Sequence, residues 1–520
     1  MATTLPDEEA SPPPLPGLES GPAPRPLRLR ARERLNDPVT AVLLAMTGVW
    51  SITFIVLGWM RQDHFATFGF DLGIYDQAIW LLSRFKDPFI TIRGLEFFGH
   101  HMNPALLLFV PAYWLGAGPH FLLVAQVLAQ ASGAFAIFLL ARDRLADRWL
   151  AVALAAVLLL NPTYQYLTWE YFHPDALALA PLLFAYWAAR AKRWRWFAVA
   201  AVLALACKED VALAMIVLGL LVAARGELRI GLLVSAVSAA WFALATRVLI
   251  PWANGIGPFY DSFFGEFGKT PGQIVGNVIS HPGKALSVAT REDRMSYYRM
   301  MFAPVAFLPL AALPTLAIAA PMLGINALSS FPYQREIRYH YAALVLAGIM
   351  VATVEAVAFL GRTPGLRRFL VGLLAATSLA TTVAWGPSPL STKFRAGLWP
   401  LGTDARLAAK QAALDVVPAG VPTSAIYDFA PHLTHRRKIY EFPVPWKNVN
   451  WGVHGEHLDD PAGVRWIVVD RQILGTNDQG LLEQLLAGQF RVRYERQSIV
   501  VAQRVRAARQ GEPGSNGTLS

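Results

Sequence analysis

FDLGIYDQ, residues 70–77, directly follows the first long apolar span of the chain. The loop that contains this stretch also carries Glu96, His100 and His101. Most of the surrounding sequence is apolar, so carboxylates and imidazoles placed just outside a first membrane helix need a functional explanation. The pattern predicts that this loop holds the reaction centre of a membrane enzyme, and that the later helices build a pocket against it.

The composition of the 520-residue chain is that of a membrane protein. Hydrophobic residues make up 54% of it and charged residues 16%, whereas a soluble protein carries about 25% charge. Repeated apolar runs of about 20 residues predict many membrane-spanning helices. The net charge of +10 comes mainly from arginines in short loops between these runs. That distribution is typical of cytoplasmic loops and indicates no nucleic-acid partner. A single cysteine, Cys207, excludes an intrachain disulfide.

Changes in composition locate the membrane domain. Residues 1–37 are rich in proline, glycine and charge, and an arginine cluster lies just before the first apolar run. We therefore expect a disordered tail and a cytoplasmic N-terminus. Residues 38–386 are predicted to form a multi-span membrane domain with large outer loops at 60–103 and 251–300.

The predicted fold class is an all-α polytopic membrane bundle of about eleven transmembrane helices with a small extracytoplasmic α/β domain. The α/β domain is predicted over residues 387–505, where strand and helix patterns replace the long apolar runs. Residues 506–520 have the composition of a disordered tail. Residues 104–117 are apolar but short and contain Pro111, so whether they cross the membrane is left open.

Under this topology the polar clusters of the membrane domain gather on the outer side. Several lie at the tips of hairpins whose apolar arms reach only about 17–25 Å as helix. The tips are therefore expected below the outer surface, where charged groups are tolerated only if they face water or protein. The clusters are Asp71 with Asp76, His100 with His101, Glu170 with His173 and Asp175, Lys208 with Glu209 and Asp210, and Arg335 with Glu336, Arg338 and His340.

The first-loop residues each have two interpretations. Asp71 either caps a short interfacial helix or acts as a general base that takes a proton from an acceptor hydroxyl. Asp76 lies five residues later, about 140° round a helix, so the two carboxylates need not face the same way; we rank Asp71 first. His100 and His101 are either a solvated interfacial pair or ligands of a phosphate or a divalent metal, although their spacing matches no zinc signature.

The tip of the first hairpin is the next candidate. Glu170 and His173 have the i, i+3 spacing that binds one ligand on a helix, but Pro174 disfavours helix at His173. Asp175 follows the proline, where a helix cap is the alternative to a functional role.

Charged residues at two further tips favour anion binding. Lys208, Glu209 and Asp210 interrupt a hairpin of about 28 mostly apolar residues, at a cost of a few kcal/mol each. They either neutralise one another, or Lys208 binds an anion while the carboxylates orient it or hold a metal. Arg335 and Arg338 are suited to phosphate, and the alternative is a boundary signal at the membrane surface.

Several of these stretches together resemble a known family. They are FDLGIYDQAIW at 70–80, HHMNP at 100–104, EYFHPDALA at 170–178, ACKEDVAL at 206–213 and YQREIRYHYAALV at 333–345. In this order they resemble the bacterial membrane family of domain of unknown function 2079, from about residue 60 to 500. That family in turn looks like the C-type glycosyltransferase superfamily (GT-C), with a multi-span bundle, a first-loop acid and hairpins around a lipid-phosphate pocket. Many relatives have adjacent acids, whereas Asp71 and Asp76 are five residues apart, so the identity of the base is open.

The resemblance implies inverting sugar transfer from a polyprenyl-phosphate donor at the outer face of the bacterial plasma membrane. The implied base is Asp71 or Asp76, and the acceptor is a hydroxyl of a cell-envelope glycan, lipid or protein. The carboxylates permit Mg²⁺ or Mn²⁺ but do not require a metal. The predicted substrate-binding residues are His100, His101, Glu170, His173, Asp175, Lys208, Glu209, Asp210, Arg335, Arg338 and His340.

Two other classes of protein fit parts of the pattern. A transporter or lipid flippase also places ionisable residues in the membrane, but it needs polar groups along a path to both faces. A non-catalytic assembly protein keeps the fold without the reaction. The large outer loops, the outer soluble domain and the one-sided polar clusters favour the enzyme.

Overall fold

The computed structural model of the protein describes most of the chain. The tails predicted to be disordered lie outside the described residues, except for Asp37, whose carboxylate accepts the Thr40 N–H at 2.9 Å and caps the first helix. The described ranges are 37–255, 259–448 and 458–505.

The described residues contain six helices that are long and apolar enough to cross a membrane, or seven if one bent pair is a single span. They make the chain a multi-pass membrane protein. The predicted total of about eleven crossings stays a prediction, because the further crossings have to be made by shorter helices. The six are Pro38–Asp63, Pro119–Leu145, Leu228–Asn254, Leu308–Leu328, His340–Leu360 and Pro364–Trp385; the bent pair is Arg148–Leu160 with Pro162–Trp169; shorter apolar helices are Pro104–Trp114, Trp194–Cys207 and Val211–Ala224.

Other helices complete the bundle, the outer loops and the C-terminal region. Residues 104–117, whose crossing was left open, form a 3₁₀ turn followed by a helix of five residues. Further α-helices are Ile74–Ser83, Phe97–His100, Pro174–Arg190, Pro271–Ser280, Pro282–Ala289, Glu292–Phe302, Thr392–Arg395, Ala405–Val416 and Thr476–Gly488.

A proline produces the bend that creates the first hairpin tip. The helices Arg148–Leu160 and Pro162–Trp169 meet at 49° because Pro162 has no N–H to continue the helical hydrogen bonds. Asn161 caps the second helix by accepting the Thr163 N–H at 3.0 Å. The segment from residue 170 to residue 173 is thereby turned back into the bundle before the next helix begins at Pro174.

The C-terminal region contains the predicted α/β fold. Its five strands are β3 Thr423–Ala425, β4 Ile439–Glu441, β5 Trp466–Asp470, β6 Phe490–Arg496 and β7 Ile499–Arg504. They form one sheet in the order β4-β3-β5-β7-β6, in which β4, β3 and β5 are parallel and β7 is antiparallel to both β5 and β6. One strand ends at Asp470, the helix Thr476–Gly488 follows it, and the last two strands form an antiparallel hairpin. A separate hairpin, β1 Phe89–Ile90 with β2 Leu95–Glu96, lies in the loop at residues 60–103.

This sheet packs directly against the loop at residues 60–103. The outer edge of β4 is covered by Thr91, whose Oγ1 donates to the Ile439 carbonyl at 2.6 Å and accepts the Ile439 N–H at 2.9 Å. An edge strand is thus paired rather than exposed. The ring of Phe65 stacks on His432 at 4.1 Å between centroids. The end of β4 is therefore held beside the stretch that contains Asp71.

Candidate functional site

Asp71 lies on a single π-helical turn, Gly69–Gly73, between the first span and the helix Ile74–Ser83. Residue 68 precedes the turn without a side-chain cap, and Asp71 is inside it, so the capping interpretation does not describe its position. Its side chain is 32% exposed, and Oδ1 lies 3.4 Å from Nε2 of His173. A carboxylate that is accessible on one side and contacted by an imidazole on the other can meet a substrate.

The turn approaches the C-terminal sheet so closely that residue 69 has to be glycine. A Cβ at Gly69 would lie 2.6 Å from the Cβ of Ala430 and 3.0 Å from Oε2 of Glu441. The Gly69 N–H donates to the Tyr427 carbonyl at 2.9 Å. The C-terminal sheet therefore fixes the backbone on which Asp71 stands.

Two histidines from distant segments stack beside Asp71. The rings of His173 and His340 are 3.8 Å apart between centroids and 15° from parallel. Nδ1 of His340 lies 2.8 Å from Oε1 of Glu170. His173 has an extended backbone as the residue before Pro174, as the proline predicted, so Glu170 and His173 meet without sharing a helix. In the part of the chain that the structure describes, Glu170, His173 and His340 are the group whose ligand atoms, all within 4.8 Å of one another, can hold a metal.

Arg61, which the sequence analysis did not single out, holds this tip in place. Its guanidinium lies 4.0 Å from the Trp169 ring centroid and 4.4 Å from that of Tyr171. It donates to the Trp169 carbonyl and, at 3.0 Å, to the Tyr171 hydroxyl. Tyr171 has φ = 80°, a conformation that costs a non-glycine residue of order 1–3 kcal/mol. The clamp of Arg61 helps to hold the strained segment that places Glu170. The sequence feature that points to Arg61 is its charge near the end of an otherwise apolar span.

The lysine tip is largely neutralised by its neighbours. Nζ of Lys208 lies 3.0 Å from Oδ1 of Asp175 and 3.2 Å from Oδ2 of Asp210. Asp175 makes no cap of its helix. Glu209 accepts the Met102 N–H at 3.0 Å and lies 2.8 Å from Nδ1 of His101. These contacts match the interpretation of mutual neutralisation, and phosphate binding by Lys208 stays a prediction.

Asp76 points away from Asp71 and is fully buried. The Tyr113 hydroxyl donates to its Oδ1 at 2.6 Å, and the Thr434 hydroxyl donates to its Oδ2. Nε2 of His435 lies 3.2 Å from the same Oδ2. Asp76 thus joins the first outer loop to the C-terminal region, and both of its oxygens have partners.

The two predicted arginines have different surroundings. Arg335 is 10% exposed, and its Nε donates to Oδ2 of Asp293 at 2.8 Å. Arg338 is 44% exposed and pairs with Glu336. Arg338 is therefore the one of the two that a ligand reaches without breaking a buried contact. Neither contact tests the predicted role in phosphate binding.

The remaining predicted residue, His100, stands beside His101 with 4.5 Å between ring centroids. Burial, followed by the charge of His101, lowers the pKa of His100 well below 6.5. His100 is therefore a neutral imidazole at physiological pH, able to donate one hydrogen bond and accept another.

Glu441, at the end of β4, is a site residue that the sequence analysis missed. The Phe70 N–H is hydrogen-bonded to its carboxylate. Its Oε2 is buried and accepts no hydrogen bond from the described residues. Burial, followed by the charges of Asp71 and Asp428, raises the pKa of Glu441 to about 8. A carboxyl group that holds its proton near neutral pH thus stands next to the candidate base.

We expect the stability of the protein relative to a Glu441→Gln variant to depend on pH. The pKa of Glu441 is raised from 4.5 to about 8 on folding, so between these values the folded protein keeps a proton that the unfolded chain releases. The wild type should therefore lose stability relative to the variant as the pH rises through this window, and the difference should level off above it. Thermal unfolding in detergent measures it. As a control, the stability of Glu292→Gln, at an exposed carboxylate, should change with pH in the same way as that of the wild type. A stability difference between the wild type and Glu441→Gln that does not depend on pH would contradict the raised pKa.

The chain is similar to a family of membrane proteins and to solved structures over most of its length. The model of a family described as "Predicted membrane protein (DUF2079)" matches residues 61–501. Among solved structures, ArnT from Cupriavidus metallidurans bound to undecaprenyl phosphate is similar over 88% of this chain and 98% of its own, with 14% identity and a TM-score of 0.49. The apo state of the same protein gives the same coverage, 15% identity and a TM-score of 0.37. No curated protein matches the chain.

Proposed function

The chain belongs to the DUF2079 family of predicted membrane proteins, and from that premise and the geometry of the outer site we propose that it is an inverting membrane glycosyltransferase. It moves a sugar from a polyprenyl-phosphate donor to an acceptor hydroxyl at the outer face of the bacterial plasma membrane. The N-terminus is cytoplasmic and the C-terminal domain extracytoplasmic. The observation that carries the proposal is the accessible carboxylate of Asp71, contacted by His173 at 3.4 Å among converging polar tips.

In the proposed reaction Asp71 accepts the proton of the acceptor hydroxyl. The acceptor oxygen forms a bond to the anomeric carbon as the bond from that carbon to the phosphate oxygen breaks, and attack from the opposite face inverts the configuration. Proton transfer to a positioned base contributes about 10²–10⁴-fold to such reactions. His173 orients the Asp71 carboxylate, and the Phe70–Glu441 contact fixes the turn beneath it.

The leaving phosphate gains negative charge and needs nearby donors. Arg338 is the most exposed of the predicted cationic ligands, and His100 and His101 offer neutral imidazole donors on the same outer loop. Lys208 is available to a phosphate only if it gives up contact with Asp175 or Asp210. We therefore assign the donor phosphate first to Arg338 and the histidine pair. The acceptor is a glycan, lipid or protein of the cell envelope.

The alternative of a transporter or flippase requires a polar path across the bundle. His340 and Glu355 belong to the same membrane helix and lie roughly 22 Å apart along its axis. Glu355 accepts hydrogen bonds from Arg144 and Arg190, both at 2.9 Å. Between the two ends, residues 342–354 are apolar except for Thr353, whose hydroxyl donates to its own helix. An apolar layer along this helix favours a one-sided enzyme site.

The test is binding and turnover of the purified full chain in nanodiscs with a panel of polyprenyl-phosphate sugars. We expect at least one donor to bind and its sugar to appear on an added acceptor, with release of polyprenyl phosphate. Donor binding without transfer to any acceptor, together with lipid movement between leaflets, would favour a flippase. No binding of any polyprenyl-phosphate sugar would overturn the proposal.

A further inference from the structure

The cluster of Glu170, His173 and His340 contains a carboxylate and two imidazoles that the proposed reaction uses only in part. Their ligand atoms lie within 4.8 Å of one another. Glu170 and His173 are 3% and 4% exposed, and the side chain of His340 is 14% exposed. These donors come from two segments about 170 residues apart in sequence, so the fold, not local chain geometry, brings them together.

The distances within the cluster suit a shared ion. Oε1 of Glu170 lies 2.8 Å from Nδ1 of His340. Two ligands bound about 2.0–2.2 Å from one zinc ion stand about 2.8–3.6 Å apart at angles between 90° and tetrahedral. Small side-chain rotations bring the stacked His173 ring into the same sphere, because its centroid is already 3.8 Å from that of His340.

A second observation concerns the other oxygen of Glu170. Oε2 is buried and has no hydrogen-bond partner among the described residues. A buried carboxylate oxygen without a partner carries a desolvation cost of about 1–3 kcal/mol or more. A cation at this position removes that cost.

The surrounding charges also favour a cation. Acidic side chains near the cluster outnumber the cationic ones, and Lys208 is already shared between Asp175 and Asp210. The acidic residues are Asp71, Glu170, Asp175, Glu209 and Asp210, and the cationic ones are Arg61, Arg93 and Lys208.

We propose that Glu170, His173 and His340 bind one divalent transition-metal ion, zinc in the first place. Two imidazoles with one carboxylate are a typical zinc set, whereas Mg²⁺ prefers oxygen ligands and tolerates imidazole poorly. Three protein ligands leave a coordination position open towards Asp71, which is 3.4 Å from His173. Holding a donor phosphate oxygen at that position is a role that rests on the proposed function; binding of the ion does not.

The competing explanation is that His340 and Glu170 form a structural hydrogen bond and bind no metal. The test uses the full chain in detergent, purified without a histidine tag, stripped with a chelator and titrated with Zn²⁺, Mn²⁺ and Mg²⁺ in the absence of any donor. Metal content and a competition titration with a chromophoric chelator give stoichiometry and affinity. We expect about one zinc per chain, weaker Mn²⁺ binding and no Mg²⁺ binding at comparable concentration.

Variants at the cluster identify the ligands. His340→Ala, His173→Ala and Glu170→Gln should each weaken zinc binding by at least 10-fold. His120→Ala is the matched control, because His120 forms another histidine–aspartate pair, 2.7 Å from Asp63, and it should bind zinc as the wild type does. If His340→Ala does not fold, His340→Gln, which keeps a hydrogen-bonding side chain, takes its place.

The possible results test the metal site and the proposed glycosyltransferase activity separately. Unchanged zinc affinity in all three cluster variants, or a wild type that retains no zinc after dialysis, would overturn the metal proposal. Zinc binding with no sugar transfer would instead count against the proposed function and leave the metal site intact.

Discussion

Asp71→Asn is expected to reduce sugar transfer by about 10²–10⁴-fold while donor binding stays within a few fold of the wild type. Asparagine has nearly the same shape as aspartate but cannot accept a proton at neutral pH. The side-chain amide occupies the same position, so the contact with Nε2 of His173 at 3.4 Å is retained. Because the side chain is 32% exposed, the substitution should not disturb packing. The measurement is initial rate and donor affinity on the same nanodisc preparation.

Two further variants make that result specific to the base. Asp87→Asn changes an exposed acid of the same outer loop and should leave the rate unchanged. Asp76→Asn loses charge at a fully buried position where Tyr113 and Thr434 donate hydrogen bonds, so we expect reduced stability and a rate per folded molecule within a few fold of the wild type. A wild-type rate for Asp71→Asn, or a complete loss confined to Asp76→Asn, would assign the base to the other residue.

The convergence of the polar tips could be predicted from the sequence because the apolar background leaves few places for them. A charged triplet such as Lys208-Glu209-Asp210 inside an apolar hairpin has to find partners within the bundle, and its observed partners are Asp175, His101 and the Met102 backbone. The extended backbone of His173 could also be predicted, because a residue before proline avoids the helical conformation.

The contribution of the C-terminal sheet could not be predicted in this way. Strands β3 and β4 have three residues each, too few for a period-two pattern to be recognised. The contacts of Asp76 with Thr434 and of Phe70 with Glu441 join positions about 360 residues apart. They depend on how one folded unit docks on another, which neither composition nor spacing encodes. The sequence therefore ranked Asp71 above Asp76 without revealing that Asp76 contacts Thr434 and His435, between β3 and β4.

Lys208→Met should lower the free energy of unfolding by about 3–5 kcal/mol, because removal of one partner leaves buried charges without compensation. The ammonium lies 3.0 Å from Asp175 and 3.2 Å from Asp210, and the side chains of Lys208 and Asp175 are 6% and 4% exposed. Thermal or detergent-induced unfolding of the two proteins measures the difference. Lys192→Met is the matched control: Lys192 pairs with Glu227 at 2.6 Å but is 69% exposed, and such surface pairs contribute about 0–1 kcal/mol.

A double variant distinguishes the two interpretations of Lys208. If the lysine serves chiefly to neutralise its neighbours, Lys208→Met combined with Asp175→Asn should recover part of the lost stability, because one uncompensated charge has been removed together with its partner. Donor affinity per folded molecule should then be close to that of the wild type. If instead Lys208 binds the donor phosphate, the double variant regains stability but loses donor affinity by 10-fold or more. A Lys208→Met protein as stable as the wild type would contradict the neutralising role altogether, since the buried Asp175 cannot lose its cation without cost.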